Sequence, residues 1–199
     1  MNDSYNKTNN IKEIKTSIRK RNKELRAAIP AETKKAYDKA IFKRFVGLCS
    51  YRFASAVLLY YPLKNEIDTL NIFHDAVKKG KTVAFPRCTD GNNMVYHVVT
   101  SLDQLRSGKY GIMEPDESLP VFEGDKNTVC VLPAIAYDKR GYRLGYGKGY
   151  YDRYLSGFKG LKAGLLYSSL ILDRIPNGKY DLVSDVLITE KGVISFAKN

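Results

Sequence analysis

Arg143 to Asp152 reads RLGYGKGYYD. Glycine stands at 145, 147 and 149, Lys148 sits between the last two, and Tyr150, Tyr151 and Asp152 follow. These residue types suit one kind of chemistry, the holding of an anion. Glycine frees the main chain to take positive φ and lets a ligand approach it closely. Successive N–H groups then form a nest, and the N-terminal end of a following helix adds positive potential. Lys148 supplies a point charge and Arg143 a fork, both suited to phosphate oxygens. A flexible glycine turn between strand and helix would explain the glycines alone. The flanking Arg143, Lys148 and Asp152 weigh against that plainer reading.

The stretch fits none of the common phosphate motifs. A P-loop needs GxxxxGK followed by Ser or Thr, and here Gly149 follows Lys148. The dinucleotide fingerprint GxGxxG would need glycine at 150, where the chain has Tyr150. A kinase glycine loop belongs near the start of its domain, not at residue 145.

Such a loop must be positioned by regular elements. Ile11, Ile14, Ile18, Leu25 and Ile29 fall at helical spacing and predict a first helix, closed by Pro30. Residues 1–10 are polar and read as a disordered or frayed tail. Tyr37, Ile41, Phe45 and Leu48 predict a second helix. Ser55–Tyr61 is a short apolar run that reads as a buried strand. After Glu66, the residues Ile67, Leu70, Phe73 and Val77 share a helical face that Gly80 ends. Thr82–Phe85, closed by Pro86, then Met94–Val99 and Thr128–Leu132 read as strands. A helix starts over Tyr150–Leu155, and strands follow at Lys162–Tyr167 and Val186–Thr189. Strands alternating with helices predict an α/β fold: one Rossmann-like, three-layer α/β/α sandwich over 11–199, with a mainly parallel or mixed sheet. Ligands of such sheets lie at the carboxyl ends of the strands. The polar loops Pro62–Thr69 and Ala134–Gly149 both leave strands there.

The bulk numbers narrow the class. Apolar residues make up 44% and charged residues 27% of 199, which supplies one globular core rather than disorder. The formal charge of +12 predicts an anionic partner. Seven Lys/Arg and two Glu lie between Lys12 and Arg26, a run that a solvated helix face explains as readily as an anion contact. Cys49, Cys88 and Cys130 match no zinc or redox spacing. No apolar leader or membrane span is evident, so a soluble cytoplasmic chain is expected. There is no Ser/His/Asp or Cys/His constellation, and His74 and His97 read as ordinary residues.

The longer stretch YDKRGYRLGYGKGYYDRYL (Tyr137–Leu155) resembles the signature of the 5-formyltetrahydrofolate cyclo-ligase family, also called methenyltetrahydrofolate synthetases. KTSIR (Lys15–Arg19), YYPLKNEIDT (Tyr60–Thr69), FPR (Phe85–Arg87), YGIMEP (Tyr110–Pro115) and VLPAIAYD (Val131–Asp138) match in order, so the likeness runs from about residue 12 to 194. It implies an ATP- and Mg²⁺-dependent ligase that converts 5-formyltetrahydrofolate to 5,10-methenyltetrahydrofolate, releasing ADP and phosphate. By the same resemblance Lys15, Arg19 and Arg143 to Tyr151 (Arg143, Leu144, Gly145, Tyr146, Gly147, Lys148, Gly149, Tyr150, Tyr151) hold ATP, with Lys148 and Arg143 as the catalytic cations. Tyr61, Glu66, Tyr146 and Tyr150 contact the folate, which can carry a polyglutamate tail. Asp152 and Asp181 hold the metal, with Asp185 a rival to Asp181. A monomer is expected. The competing reading, a basic nucleic-acid-binding protein with degenerate catalysis, lacks any recognisable RNP, KH, helix-turn-helix or zinc-finger pattern.

Overall fold

Period-2 alternation along the strands sorts their side chains onto two faces of one sheet. In the computed structural model, which describes residues 2–90, 93–108, 111–124, 126–178 and 181–196, β1 (Ala56–Leu58), β2 (Thr82–Cys88) and β6 (Thr128–Leu132) form its centre. Val57, Leu59, Val83, Phe85, Val129 and Val131 pack on one face. There they meet Ile41 and Phe45 of α2 (Ala31–Gly47) and Ile72, Phe73 and Ala76 of α4 (Leu70–Lys78). Tyr51 of the short α3 (Cys49–Phe53) joins the same cluster. Leu58, Ala84, Cys130 and Leu132 point the other way, onto Leu155 of α5 (Tyr150–Leu155). The result is the three-layer arrangement that the strand–helix order predicts.

The remaining strands are β3 (Met94–Val98), β4 (Leu105–Ser107), β5 (Met113–Pro115), β7 (Ala136–Asp138), β8 (Arg143–Leu144), β9 (Leu161–Leu165), β10 (Ile171–Leu172), β11 (Val186–Ile188) and β12 (Val193–Ser195). Among the described residues the main sheet has the order β12-β11-β9-β6-β1-β2-β3. Its inner pairs are parallel, and β3 and β12 join its edges antiparallel, so the sheet is mixed. A small sheet β10-β7-β8 and the hairpin β4-β5 lie beside it. No helix among the described residues is long and apolar enough to cross a membrane.

Three local expectations need correction. The first helix, α1, runs Asn2–Ala27, so the stretch read as a tail up to residue 10 continues the helix from Asn2. No Pro or Gly stands between Asn2 and Ala27 to stop it. Pro86 does not end β2. Opposite it, Tyr96 turns its carbonyl outward to the Phe122 N–H, and β1 pairs with β2 only as far as Ala84, so no ladder hydrogen bond is asked of the proline. Finally, α4 begins at Leu70 rather than near Ile67. The Thr69 hydroxyl donates to the Tyr60 carbonyl at 2.7 Å and the Tyr60 hydroxyl donates to the Ile67 carbonyl at 3.3 Å, which holds 66–69 as a loop across the exit of β1. Met1, Tyr110 of the YGIMEP segment and 197–199 lie outside the described residues.

Candidate active site

The parallel strands β1, β2 and β6 deliver their following loops to one edge of the sheet, and a cleft of about 510 Å³ opens there. Every residue named from the sequence as a site residue lines it: Lys15, Arg19, Tyr61, Glu66, the whole of 143–151, Asp152 and Asp181. The rival Asp185 is elsewhere. It is buried and accepts the Lys162 N–H at 2.7 Å, a tie between β9 and the start of β11. His97 is also structural, with Nδ1 2.8 Å from the Leu119 carbonyl.

One end of the cleft is cationic. The glycine loop connects β8 to α5 and is held from outside by α1. Lys15, Arg19, Asn22 and Arg26 recur at helical spacing, so they form one stripe. Lys15 Nζ pairs with Asp181 at 2.5 Å. Arg19 Nε donates to the Gly145 carbonyl at 2.9 Å. The buried Asn22 donates to the Ile135 and Leu170 carbonyls, and Arg26 donates to the Ala134 carbonyl and the Tyr146 hydroxyl. The apolar residues that signalled this helix are poorer anchors, since Ile14 is 41% and Leu25 45% exposed. The basic run is therefore divided: Lys12, Lys20, Arg21 and Lys23 are exposed, while Lys15, Arg19 and Arg26 turn inward, Arg19 and Arg26 onto the loop.

Inside the loop, Arg143 is almost fully buried. Its guanidinium donates to Asp152 at 2.6 Å and to the Pro133 carbonyl at 3.3 Å, and lies over the Tyr151 ring at 5.3 Å. It thus ties the end of β6 to the first turn of α5. Gly147 has φ +96, a backbone that favours glycine, and an added Cβ would stand 3.2 Å from the Arg19 guanidinium, which would have to give by a few tenths of an ångström. Burial pulls the Arg19 pKa down from 12.5, opposed by the Asp181 charge; the group remains a cation at any working pH.

The middle of the cleft holds Tyr146 and Glu66. The Tyr146 hydroxyl donates to Glu66 and accepts from Arg26 at 2.9 Å, while Glu66 also accepts the Leu63 N–H at 3.0 Å. Burial of that hydroxyl end, then the Glu66 charge, pushes the Tyr146 pKa up to about 12, so it donates throughout the physiological range. Lys23 lies 5.1 Å from the Tyr146 ring centroid. The far wall, Pro86, Cys88, Met94, Ile112 and Glu114, comes from β2, β3 and the β4-β5 hairpin. Sequence reasoning singled out neither Arg26 nor Glu114 for the site. Arg26 had a signal, its place on the stripe of Lys15 and Arg19; Glu114 sat inside a quoted segment without a role.

Asp152 and Asp181 are hard oxygen donors on the cationic side, each ion-paired through one oxygen. Both line the cleft, and a carboxylate of this kind suits a cation that takes one or two carboxylates and fills its shell with phosphate oxygens and water. Among the described residues no group of three or more metal-binding side chains occurs, which argues against an all-protein metal cage.

Fold and site together define an α/β protein whose cleft sets a glycine loop carrying Arg143 and Lys148 beside a wall that includes Pro86, Met94 and Ile112. The chain belongs to the 5-formyltetrahydrofolate cyclo-ligase family, whose profile matches residues 11–190. It is 27% identical to the 5-formyltetrahydrofolate cyclo-ligase of Haemophilus influenzae, over 91% of this chain and 98% of that one. The 5,10-methenyltetrahydrofolate synthetase of Aquifex aeolicus superposes with a TM-score of 0.81 at 32% identity, covering 94% of each chain. That of Mycoplasma pneumoniae gives 0.72 at 25% identity, over 88% of this chain and 98% of the other.

Proposed function

We propose that this protein uses ATP to close 5-formyltetrahydrofolate into 5,10-methenyltetrahydrofolate. One observation carries the reading: the residues assigned to ATP, folate and metal from separate segments of the sequence all line a single cleft. The chemical difficulty is a stable formamide whose oxygen leaves poorly. Transfer of the γ-phosphoryl group to the formyl oxygen releases ADP and makes the formyl carbon electrophilic. N10 then attacks that carbon, loses its proton, and phosphate departs with the former formyl oxygen. No covalent protein nucleophile is needed, so the protein contributes positioning and charge.

Lys15, Arg19 and the N–H groups of 144–151 hold the phosphates at the cationic end. Lys148 and Arg143 stabilise charge that builds on the transferred group. Asp152 and Asp181 would hold Mg²⁺, which would supply charge neutralisation at the phosphates. Tyr61 and Tyr150 pack on the flat ring system. Glu66 fixes Tyr146, and the second lone pairs of its oxygens remain for substrate N–H groups. Residues 11–199 act as one unit, as a monomer, on folate with or without a polyglutamate tail.

The test is a spectrophotometric assay with 5-formyltetrahydrofolate, Mg²⁺ and ATP, following the methenyl product's near-ultraviolet band. The expected result is growth of the band only when ATP is present. A flat trace from folded protein that still binds ATP would move the assignment to another amide substrate.

A further inference from the structure

The cleft contains a second buried carboxylate that the proposed chemistry leaves unused. Glu114, on β5, is 5% exposed and lines the far wall. Its side chain lies across Gly108, where an added Cβ would stand 2.5 Å from Glu114 Oε2; glycine at 108 makes that path possible. Among the described residues its only donor is the Cys88 N–H, at a long 3.4 Å to Oε1. The arginines of the neighbouring strands are engaged elsewhere. Arg106, opposite Glu114 in the hairpin register, donates to the Asp103 and Leu105 carbonyls, and Arg87 donates to the Pro115 carbonyl and Glu117. Oε2 accepts no donor among the described residues, and on the wall of the cleft it is placed to accept hydrogen bonds from a ligand. Glu66 differs, because both of its oxygens already accept protein donors.

Position decides which ligand. Arg143 follows from β6, Glu66 from β1, and Cys88 ends β2, and these strands are neighbours in the order β6-β1-β2. Glu114, against Cys88, thus lies on the β2 side of the cleft, whereas Arg143, bonded to the Pro133 carbonyl just past β6, lies on the β6 side. A carboxylate there would repel phosphate and favour a neutral heterocycle with N–H donors. We propose that Glu114 accepts the paired ring N–H and amino group of the folate's aminopyrimidinone edge and so sets the orientation of the ring in the cleft. This rests on the folate reading above.

The test compares wild type with Glu114→Gln, which keeps the shape of the side chain but turns one acceptor into a donor. KM is measured for 5-formyltetrahydrofolate and for ATP, along with kcat and Tm. Calorimetric binding is measured for the folate and for its 2-desamino analogue. We expect the variant's folate KM to rise at least tenfold, with ATP KM within twofold of wild type and Tm unchanged. Wild type should bind the desamino analogue more weakly than the folate, and the variant should lose that preference. An unchanged folate KM, a rise confined to ATP, or a fall in Tm with both ligands weakened would overturn the proposal. Wild type that binds folate without ATP-dependent turnover would instead overturn the cyclo-ligase reading, and the analogue comparison would still read Glu114.

Discussion

Lys148 makes two separable contributions. Its carbonyl accepts Arg153 at 2.8 Å and so helps shape the loop, whereas its exposed side chain offers a charge to the cleft. Lys148→Ala keeps the carbonyl and removes the charge. The expected outcome is a kcat lower by about 10²–10³, the scale for losing one transition-state charge donor, with Tm unmoved; steady-state kinetics and a thermal melt check both. Glu66→Gln acts on the ring. It weakens the charged hydrogen bond from Tyr146 and should raise folate KM about tenfold, consistent with a charged hydrogen bond worth ~1.5–3 kcal/mol, while ATP KM stays near wild type. Equal weakening of both ligands would remove Glu66 from the ring site. At this scale the sequence was informative where the chemistry was contiguous. Arg143 to Asp152 could be picked out because its glycines and its charges lie in one stretch, and that stretch lines the cleft. Glu114 could not, because what marks it is its place on the cleft wall without an arginine partner among the described residues, and that depends on where Arg87 and Arg106 turn in three dimensions.

The element that most controls the site is α1. Its docking face is polar: Lys15, Arg19, Asn22 and Arg26 reach an acidic residue, main-chain carbonyls and a tyrosine across more than a hundred residues of chain. A hydrophobic-periodicity reading found the helix through its isoleucines and missed this face, since polar anchors carry no periodic apolar signal. The element order along the chain was legible from alternation and breakers. The pairing order of the strands was not, because it is set by contacts between distant segments. The link between α1 and the loop can be tested at Gly147. Gly147→Ala would strain a backbone at φ +96 and push against the Arg19 guanidinium. The strain costs about 1–2 kcal/mol, which a local loop can absorb by shifting. We therefore expect ATP KM to rise several-fold with only a few degrees' loss in Tm. An ATP KM equal to wild type would mean that the loop does not need the geometry α1 imposes.

Across the whole molecule, the formal charge of +12 is partly explained by where cations go: Lys15, Arg19, Arg143 and Lys148 line one cleft. The 15 tyrosines against no tryptophan have a consequence for stability. Tyr60, Tyr96, Tyr137 and Tyr151 lie in or against the core clusters, and burial raises the pKa of each above the ordinary 10, to about 12 for Tyr137. Below pH 10 these phenols are protonated in the folded and unfolded chain alike, so they make stability neither rise nor fall. Between 10 and the folded pKa, the unfolded chain loses protons that the folded chain keeps, and stability falls as pH rises. A two-unit shift such as that of Tyr137 amounts to about 2–3 kcal/mol, a sizeable part of the ~5–15 kcal/mol stability of a domain, and the other buried phenols act in the same direction. The protein should therefore unfold cooperatively above pH 10. A titration that follows tyrosinate absorbance and far-ultraviolet circular dichroism together should show exposed tyrosines ionising first. The buried ones should then ionise in a single step coincident with loss of helix. Smooth ionisation of all the tyrosines near pH 10 with the dichroism unchanged would mean that these phenols are reached by water in the folded state, and that the two-faced core does not exclude it.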